Sequence, residues 1–227
     1  MNIHFNKYEV KLGNKIYIIL IPIFKLTKLY VISTDVRSAI VLGNESNLEY
    51  FSKLLLVMSQ TKNSILYIPS KENRLTDYLQ DRWSNKDSGN DLILLHHSLQ
   101  FNPKDWKEIR YLLSKDRNER KEYLVINNDI NIERNLSKYW YRENKDFLDI
   151  KEKFNTIFLI GSREIFHNIS IDAINVKDEG RDLFERFPGY HAHEHIDYYA
   201  RRIYDKAFKY YGWSLCLDFY DCELWGR

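Results

Sequence analysis

The sequence predicts an α/β protein built on a mixed β-sheet, and two patterns lead to this fold class. Before Gly43 the chain forms short apolar, β-branched runs, and the gaps between them are too short for helices. After Gly43 apolar strands alternate with segments in which apolar residues recur at helical spacing. We therefore expect an antiparallel N-terminal meander, then βαβ-type units, and finally a long C-terminal helix with a closing strand.

The strands before Gly43 are expected to pair antiparallel. Gly13 and Asn14 separate the first two runs, and this dipeptide is typical of a hairpin turn. The second run is β-branched and apolar, as buried strands are. The predicted strands cover residues 7–12, 15–24, 28–34 and 38–42.

The middle of the chain predicts alternating helices and strands. Asn44 or Ser46 can cap a helix over residues 47–60, in which apolar residues recur at helical spacing. A later helix carries Pro103 in its first turn, where the missing N–H costs nothing. The further predicted elements are helices over 75–83 and 103–113 and strands over 64–68, 91–96 and 123–126.

The C-terminal half begins with a polar stretch, residues 127–153, which predicts an insertion or a lobe boundary. We place it inside a single α/β domain that covers residues 1–227, a length that fits one domain. The elements predicted after it are strands over 156–160 and 169–176, a short helix over 182–187, a long amphipathic helix over 196–211 and a closing strand over 214–220.

Composition and charge narrow the classes of partner. The net charge is +2 at pH 7 and the two signs are mixed along the chain, whereas proteins that bind phosphate backbones carry a basic stripe. We therefore do not expect nucleic acid as a partner, unless folding creates a localised basic groove.

The longest apolar run, residues 16–24, is far shorter than the roughly 20 residues that cross a bilayer. With no signal peptide evident, we expect a cytoplasmic protein without membrane contact.

Three histidines, spaced two apart, form the densest group of metal-binding residue types. In an extended chain His191, His193, His195 and Asp197 project to one face and offer ligands suited to zinc or another divalent transition metal. In a helix only residues four apart would meet, so the site would need ligands from elsewhere. Solvated histidines without a metal are the alternative. The nearest residues that could complete a site are His167, Glu185, Cys216 and Asp218.

Two predicted strands end in polar residues. His96 and His97 follow one strand, and Gly161-Ser162-Arg163-Glu164 follows another. Open α/β sheets place ligands at the carboxyl ends of their strands, and the turn with Arg163 and Glu164 could bind an anion. Because adjacent strand residues point to opposite faces, we expect at most one of the two histidines to face a pocket.

The C-terminal tail is both aromatic and acidic. Aromatic residues make up 15% of the chain, and aromatic anchors within a charged rim are typical of protein interfaces. Such a tail is either packed as a strand or presented to a partner. The residues that we expect to contact a partner are Asp218, Phe219, Tyr220, Asp221, Glu223 and Trp225.

Two functions therefore stay open. The first is a non-enzymatic protein that acts by binding another protein, as an inhibitor or an immunity-like factor does, with no cofactor. The second is a metal-dependent hydrolase of the phosphoester type, which would use one divalent metal held by the histidine cluster. The first is favoured because the chain carries no strong catalytic motif.

Overall fold

The computed structural model describes residues 2–34, 38–83, 88–115, 120–125, 134, 136–141, 143–187, 190–196 and 214–225. Their strands are β1 (Asn2–Leu12), β2 (Lys15–Pro22), β3 (Leu29–Ser33), β4 (Ser38–Gly43), β5 (Ser64–Ile68), β6 (Asp91–His96), β7 (Arg120–Val125), β8 (Asp149–Lys153), β9 (Thr156–Gly161), β10 (His193–His195) and β11 (Ser214–Phe219). Their α-helices are α1 (Glu45–Gln60), α2 (Asp77–Trp83), α3 (Trp106–Lys115), α4 (Arg163–Arg186) and a C-terminal helical turn, Cys222–Trp225. Short 3-10 helices cover Ser70–Glu72, His97–Leu99, Pro103–Asp105 and Leu136–Trp140.

The strands form two mixed sheets. The larger sheet has seven strands in the order β7-β1-β2-β5-β6-β9-β8, in which β2 pairs with β5, and β6 with β9, in parallel. The smaller sheet has four strands in the order β10-β11-β4-β3, in which β11 and β4 are parallel. Its β11 is the closing strand, and it lies inside the sheet rather than at an edge. The predicted α/β fold with a mixed sheet is confirmed.

The N-terminal strands divide between the two sheets. β1 and β2 form an antiparallel hairpin around Gly13, whose φ of +59° suits glycine in the tight turn. β3 and β4 form a second antiparallel pair, which belongs to the smaller sheet. The expected meander is therefore two hairpins, and β2 pairs in parallel with β5 instead of with β3.

Helices α1 and α4 share a hydrophobic core with one face of each sheet. This core joins Leu48 and Phe51 of α1, Phe166 of α4, Leu94 of β6 and Leu217 of β11. Helix α3 covers the other face of the larger sheet, where the fully buried Trp106 meets Phe158. Helix α2 covers the other face of the smaller sheet.

The largest error of the sequence prediction lies in α4. Residues 169–176 were expected to form a strand, but they belong to this helix of 24 residues. The buried residues Ile169, Ala173 and Val176 recur at helical spacing and face the core. Ser162 caps the helix by accepting a hydrogen bond from the N–H of Ile165.

Two other predicted segments are described only in part. In the polar stretch 127–153, β8 pairs with β9, and Tyr139, Leu148 and Ile150 are buried in the shared core. The predicted helix over 196–211 lies outside the described residues apart from Ile196. Within the part of the chain that the structure describes, no helix is long and apolar enough to cross a membrane.

Candidate functional site

The histidine cluster runs along the edge of the smaller sheet. β10 pairs antiparallel with β11, which sets His193 opposite Asp218 and His195 opposite Cys216. The ring centroids of His193 and His195 are 5.1 Å apart, and both residues are exposed. His191, which precedes the strand, has its ring 5.1 Å from that of His193. Of the two geometries that the spacing allows, the described residues show the extended one at His193 and His195, with His191 directly before the strand.

The ring of His191 lies against the buried carboxylate of Asp218. Nδ1 of His191 lies 3.0 Å from Oδ1 of Asp218, whose side chain is only 2% exposed. The two atoms lack the alignment of a hydrogen bond, since Oδ1 accepts none from the described residues. A buried carboxylate needs a compensating charge or donor, and the His191 ring lies where it can supply one.

The histidines do not form a closed metal site within the described residues. No group of three or more His, Cys, Asp or Glu side chains there is placed to hold a metal ion. Asp197, the fourth ligand of the sequence hypothesis, lies outside the described residues. The contact between His191 and Asp218 is the part of the expected ligand set that the fold brings together.

The first three residues of the tail are packed into the protein. Asp218, Phe219 and Tyr220 are each no more than 3% exposed. Phe219 lies against Gly180 of α4, where a Cβ would be 2.1 Å from the ring. The ring of Tyr220 stacks on that of Tyr78, with 5.6 Å between centroids and 7° between the ring planes. The Tyr220 hydroxyl lies 2.6 Å from the Thr76 hydroxyl. Burial also raises the pKa of Tyr220, so its phenol stays protonated at neutral pH.

The last residues of the tail are nearer to the surface. Asp221 accepts a hydrogen bond from the N–H of Glu223 and so caps the C-terminal helical turn. Glu223 pairs with Lys28, and this hydrogen bond raises the pKa of the lysine. The ring of Trp225 packs on Phe184 of α4 at 4.1 Å between centroids. These contacts fix the tail to both α4 and the segment before β3.

An exposed aromatic surface adjoins this tail. Phe187, which ends α4, is 54% exposed, and Tyr190 is 69% exposed. Their rings lie 6.4 Å apart in an edge-to-face arrangement. We call Phe184, Phe187, Tyr190 and Trp225 the terminal aromatic surface. Sequence reasoning missed its first three residues, although the spacing of the two phenylalanines by three on a helix was a usable signal.

A second polar cluster lies where β6 and β9 end. His96 is 6% exposed, and its Nδ1 accepts a hydrogen bond from the N–H of Ser98 at 3.1 Å. Burial lowers the pKa of His96, and His97 and Lys62 lower it further, while Asp146 opposes them. His97 is exposed, so one of the two adjacent histidines faces inward, as expected.

Asp146 and Ser162 complete this cluster. The Ser162 hydroxyl donates to Oδ2 of Asp146 at 2.7 Å while it caps α4. Nζ of Lys138 lies 2.5 Å from Glu164 and 3.8 Å from Asp146.

Comparison of the chain with protein-family models, with curated proteins and with solved structures found no match.

Proposed function

We propose that this chain is a non-enzymatic binding protein that acts by occupying a surface of another protein, as inhibitors and immunity-like factors do. The terminal aromatic surface is its contact. The observation that carries the proposal is the pair Phe187 and Tyr190, two large side chains that are more than half exposed and lie edge to face. Leaving such rings in water is unfavourable, and a partner would cover them.

A second aromatic pair, Phe184 and Trp225, is fixed by contacts within the protein. Phe184, one helical turn before Phe187, is held by Trp225 of the tail. Trp225 in turn packs 6.1 Å from Phe219 and 5.6 Å from Tyr220. Rings held in this way lose little conformational entropy when a partner binds.

The tail residues expected to bind a partner thus divide into two roles. Asp218, Phe219 and Tyr220 are buried and hold the surface in place. Asp221 caps the terminal helical turn, and Glu223 and Trp225 form the border that a partner can reach. In this proposal the aromatic-acidic tail acts mainly as the scaffold for residues of α4 and of the segment after it.

The charges around the surface are already paired. Arg181 pairs with Glu185 at 3.0 Å, Arg186 pairs with Asp182, and Lys28 pairs with Glu223. A partner would therefore gain little from opposite charges, and its binding should depend on buried aromatic area. We expect the affinity to change little between low and high salt.

Site-specific photo-cross-linking tests the proposal. A photoreactive phenylalanine analogue at Tyr190 should capture a distinct protein in extracts of cells that make this chain. The same analogue at Tyr111 of α3, which is 55% exposed and lies away from the tail, is the matched control. Capture that is equal at the two positions, or that fails at Tyr190, would sink the proposal.

Metal-dependent phosphoester hydrolysis is the second candidate, and one observation favours it. His191 and the cross-strand neighbour His193 both lie beside the buried Asp218 carboxylate, whose Oδ1 receives no hydrogen bond from the described residues. A zinc ion or another divalent metal would require these histidines and Asp218 to turn toward a shared point, with His195 or Asp197 as a further ligand. Its test is the metal content of the protein.

A further inference from the structure

Two exposed histidines lie on the outer edge of the smaller sheet. His193 and His195 are two apart in β10, so their side chains project from the same face. Their ring centroids are 5.1 Å apart, with 87° between the ring planes. Two imidazoles on one tetrahedral zinc ion have centroids about 5 Å apart, because each Zn–N bond is about 2 Å long. The pair therefore has the spacing of two ligands of a single ion.

The His193 ring also makes a contact of the kind that orients zinc ligands. Its Nδ1 lies 3.4 Å from the backbone oxygen of His191. A carbonyl oxygen only accepts, so Nδ1 carries the proton in this contact and Nε2 keeps its lone pair. Histidines that bind metals commonly donate their second ring N–H to a carbonyl oxygen in this way. Nε2 is thus the atom of His193 that can bind an ion.

One chain supplies only part of a zinc site. Structural zinc takes four ligands, and no group of three or more His, Cys, Asp or Glu side chains among the described residues is placed to hold a metal ion. The preceding ring of the segment, His191, lies against the carboxylate of Asp218 instead. A zinc ion bound by His193 and His195 would therefore need two more ligands from a second molecule.

The backbone of β10 shows how a second copy of this chain would supply them. Ala192 and Ile196 form backbone hydrogen bonds with β11, at 2.9 and 2.8 Å. Because the direction of hydrogen bonding alternates along a strand, the N–H and C=O groups of His193 and His195 point away from β11. No described strand pairs with that side of β10. Antiparallel pairing of two β10 strands about a two-fold axis at Glu194 would bring four imidazoles to one face.

Glu194 makes this pairing depend on the metal. Its side chain projects to the face opposite the two histidines, and at the two-fold axis it would lie directly across from its own copy. Like charges directly opposite each other are destabilising. Each β10 also has only three residues, so its backbone hydrogen bonds add little. Zinc coordination is therefore needed to hold the two chains together.

We propose that β10 carries half of an interchain zinc site, in which one zinc ion bound by His193 and His195 of two copies joins them edge to edge. This site goes beyond the proposed function and uses no residue of the terminal aromatic surface. It also differs from the hydrolase alternative, since four imidazoles leave no open position for a water ligand. Because each chain supplies only two ligands, dilution separates the copies and releases the ion. Purified protein is therefore a metal-free monomer until zinc is supplied.

Zinc-dependent assembly of the untagged, full-length protein tests the proposal. Sedimentation velocity should show a monomer in chelator and a doubling of mass when zinc is added. Isothermal titration calorimetry should give one zinc ion per two chains, whereas the hydrolase alternative requires one per chain. His195→Ala removes two of the four ligands and should stay monomeric at zinc concentrations that convert the wild type. His195 is exposed, so this variant keeps the fold.

His97→Ala is the matched control, because it removes an exposed histidine at the end of a strand in the larger sheet. It should dimerise as the wild type does, and Glu194→Gln should dimerise at a lower zinc concentration because the like charges are gone. The proposal is overturned if the protein stays monomeric at every zinc concentration, if zinc binds one per chain, or if His195→Ala dimerises as readily as His97→Ala. An unchanged zinc dependence in Glu194→Gln would contradict the two-fold pairing of β10.

Discussion

Phe219 occupies the space that a side chain at position 180 would need. A Cβ built on Gly180 of α4 would lie 2.1 Å from Cγ of Phe219 and 2.2 Å from Cδ2. The missing side chain lets α4 and β11 approach closely enough to bury the phenylalanine ring completely. This contact joins the tail to the helix that carries Phe184 and ends directly before Phe187.

Gly180→Ala should therefore destabilise the protein, although alanine is the better helix former. The clash should cost about 1–3 kcal/mol, which exceeds the roughly 1 kcal/mol that alanine gains over glycine inside a helix. Urea unfolding followed by circular dichroism measures the difference. Glu179→Ala, at the exposed position next to it, should be neutral or stabilising. Adding Phe219→Leu to Gly180→Ala should cost less than the sum of the two single changes.

His191→Ala should also destabilise the protein, because it leaves the buried carboxylate of Asp218 without its partner. Loss of a contact with a buried polar group costs about 1–3 kcal/mol. His193→Ala, at an exposed position on the same segment, should change the free energy of unfolding by less than about 0.5 kcal/mol. Equal losses from the two substitutions in urea unfolding would show that the contact with Asp218 is not what distinguishes His191.

Metal content separates the two candidate functions. Protein purified without chelator or affinity tag should contain no stoichiometric transition metal by elemental mass spectrometry if it acts by protein contact alone. Roughly one zinc ion per chain, lost in His191→Ala/His193→Ala, would instead establish the metal-dependent alternative. The double substitution is compared with wild-type protein prepared in parallel.

The free energy of unfolding should decrease as the pH falls, because His96 and His167 titrate. Burial lowers the pKa of both His96 and His167. The folded state therefore favours the neutral rings, and this contribution is present above the unfolded pKa of about 6.5 and is lost as pH falls through the folded values. Urea unfolding at a series of pH values from 7.5 downward should show a smaller decrease in His96→Gln/His167→Gln than in wild type. An unchanged decrease would contradict this assignment.

The sequence was informative where hydrophobic pattern and local signals agree. Strands β5, β6 and β9 are continuous apolar runs bounded by polar residues or turns, and their predicted positions match within a residue. Helix α1 was found from its apolar period and from Asn44, which caps it as expected. In these segments local preference and tertiary packing favour the same structure.

Local preference and packing disagree in α4. Ile169, Ile171 and Val176 are β-branched and favour a strand when the segment is read alone. The burial of Ile169 and Val176 in the core that α4 shares with α1 and both sheets favours the helix, and no local signal in the sequence reports that burial. The division of the first four strands into two sheets was unpredictable for the same reason, since pairing depends on contacts distant in sequence.

The sequence indicated which residues belong to the candidate sites, but not how the fold arranges them. The period of two allowed either an extended or a helical cluster, and the structure shows a strand at His193 and His195, with His191 just before it. The period could not show that His191 lies against Asp218, because that contact needs β10 to pair with β11. The contact between Trp225 of the tail and Phe184 of α4 likewise depends on tertiary packing.

The most direct test of the proposed function is the affinity for the protein captured from position 190. We predict that Phe187→Ala/Tyr190→Ala weakens binding by at least about thirtyfold, because even one buried aromatic anchor carries about 2 kcal/mol or more. Tyr111→Ala/Phe154→Ala, which removes two exposed aromatic rings elsewhere, should bind as wild type does, and salt should change neither result much. Equal affinity of the two double variants would contradict the assignment of the terminal aromatic surface as the contact.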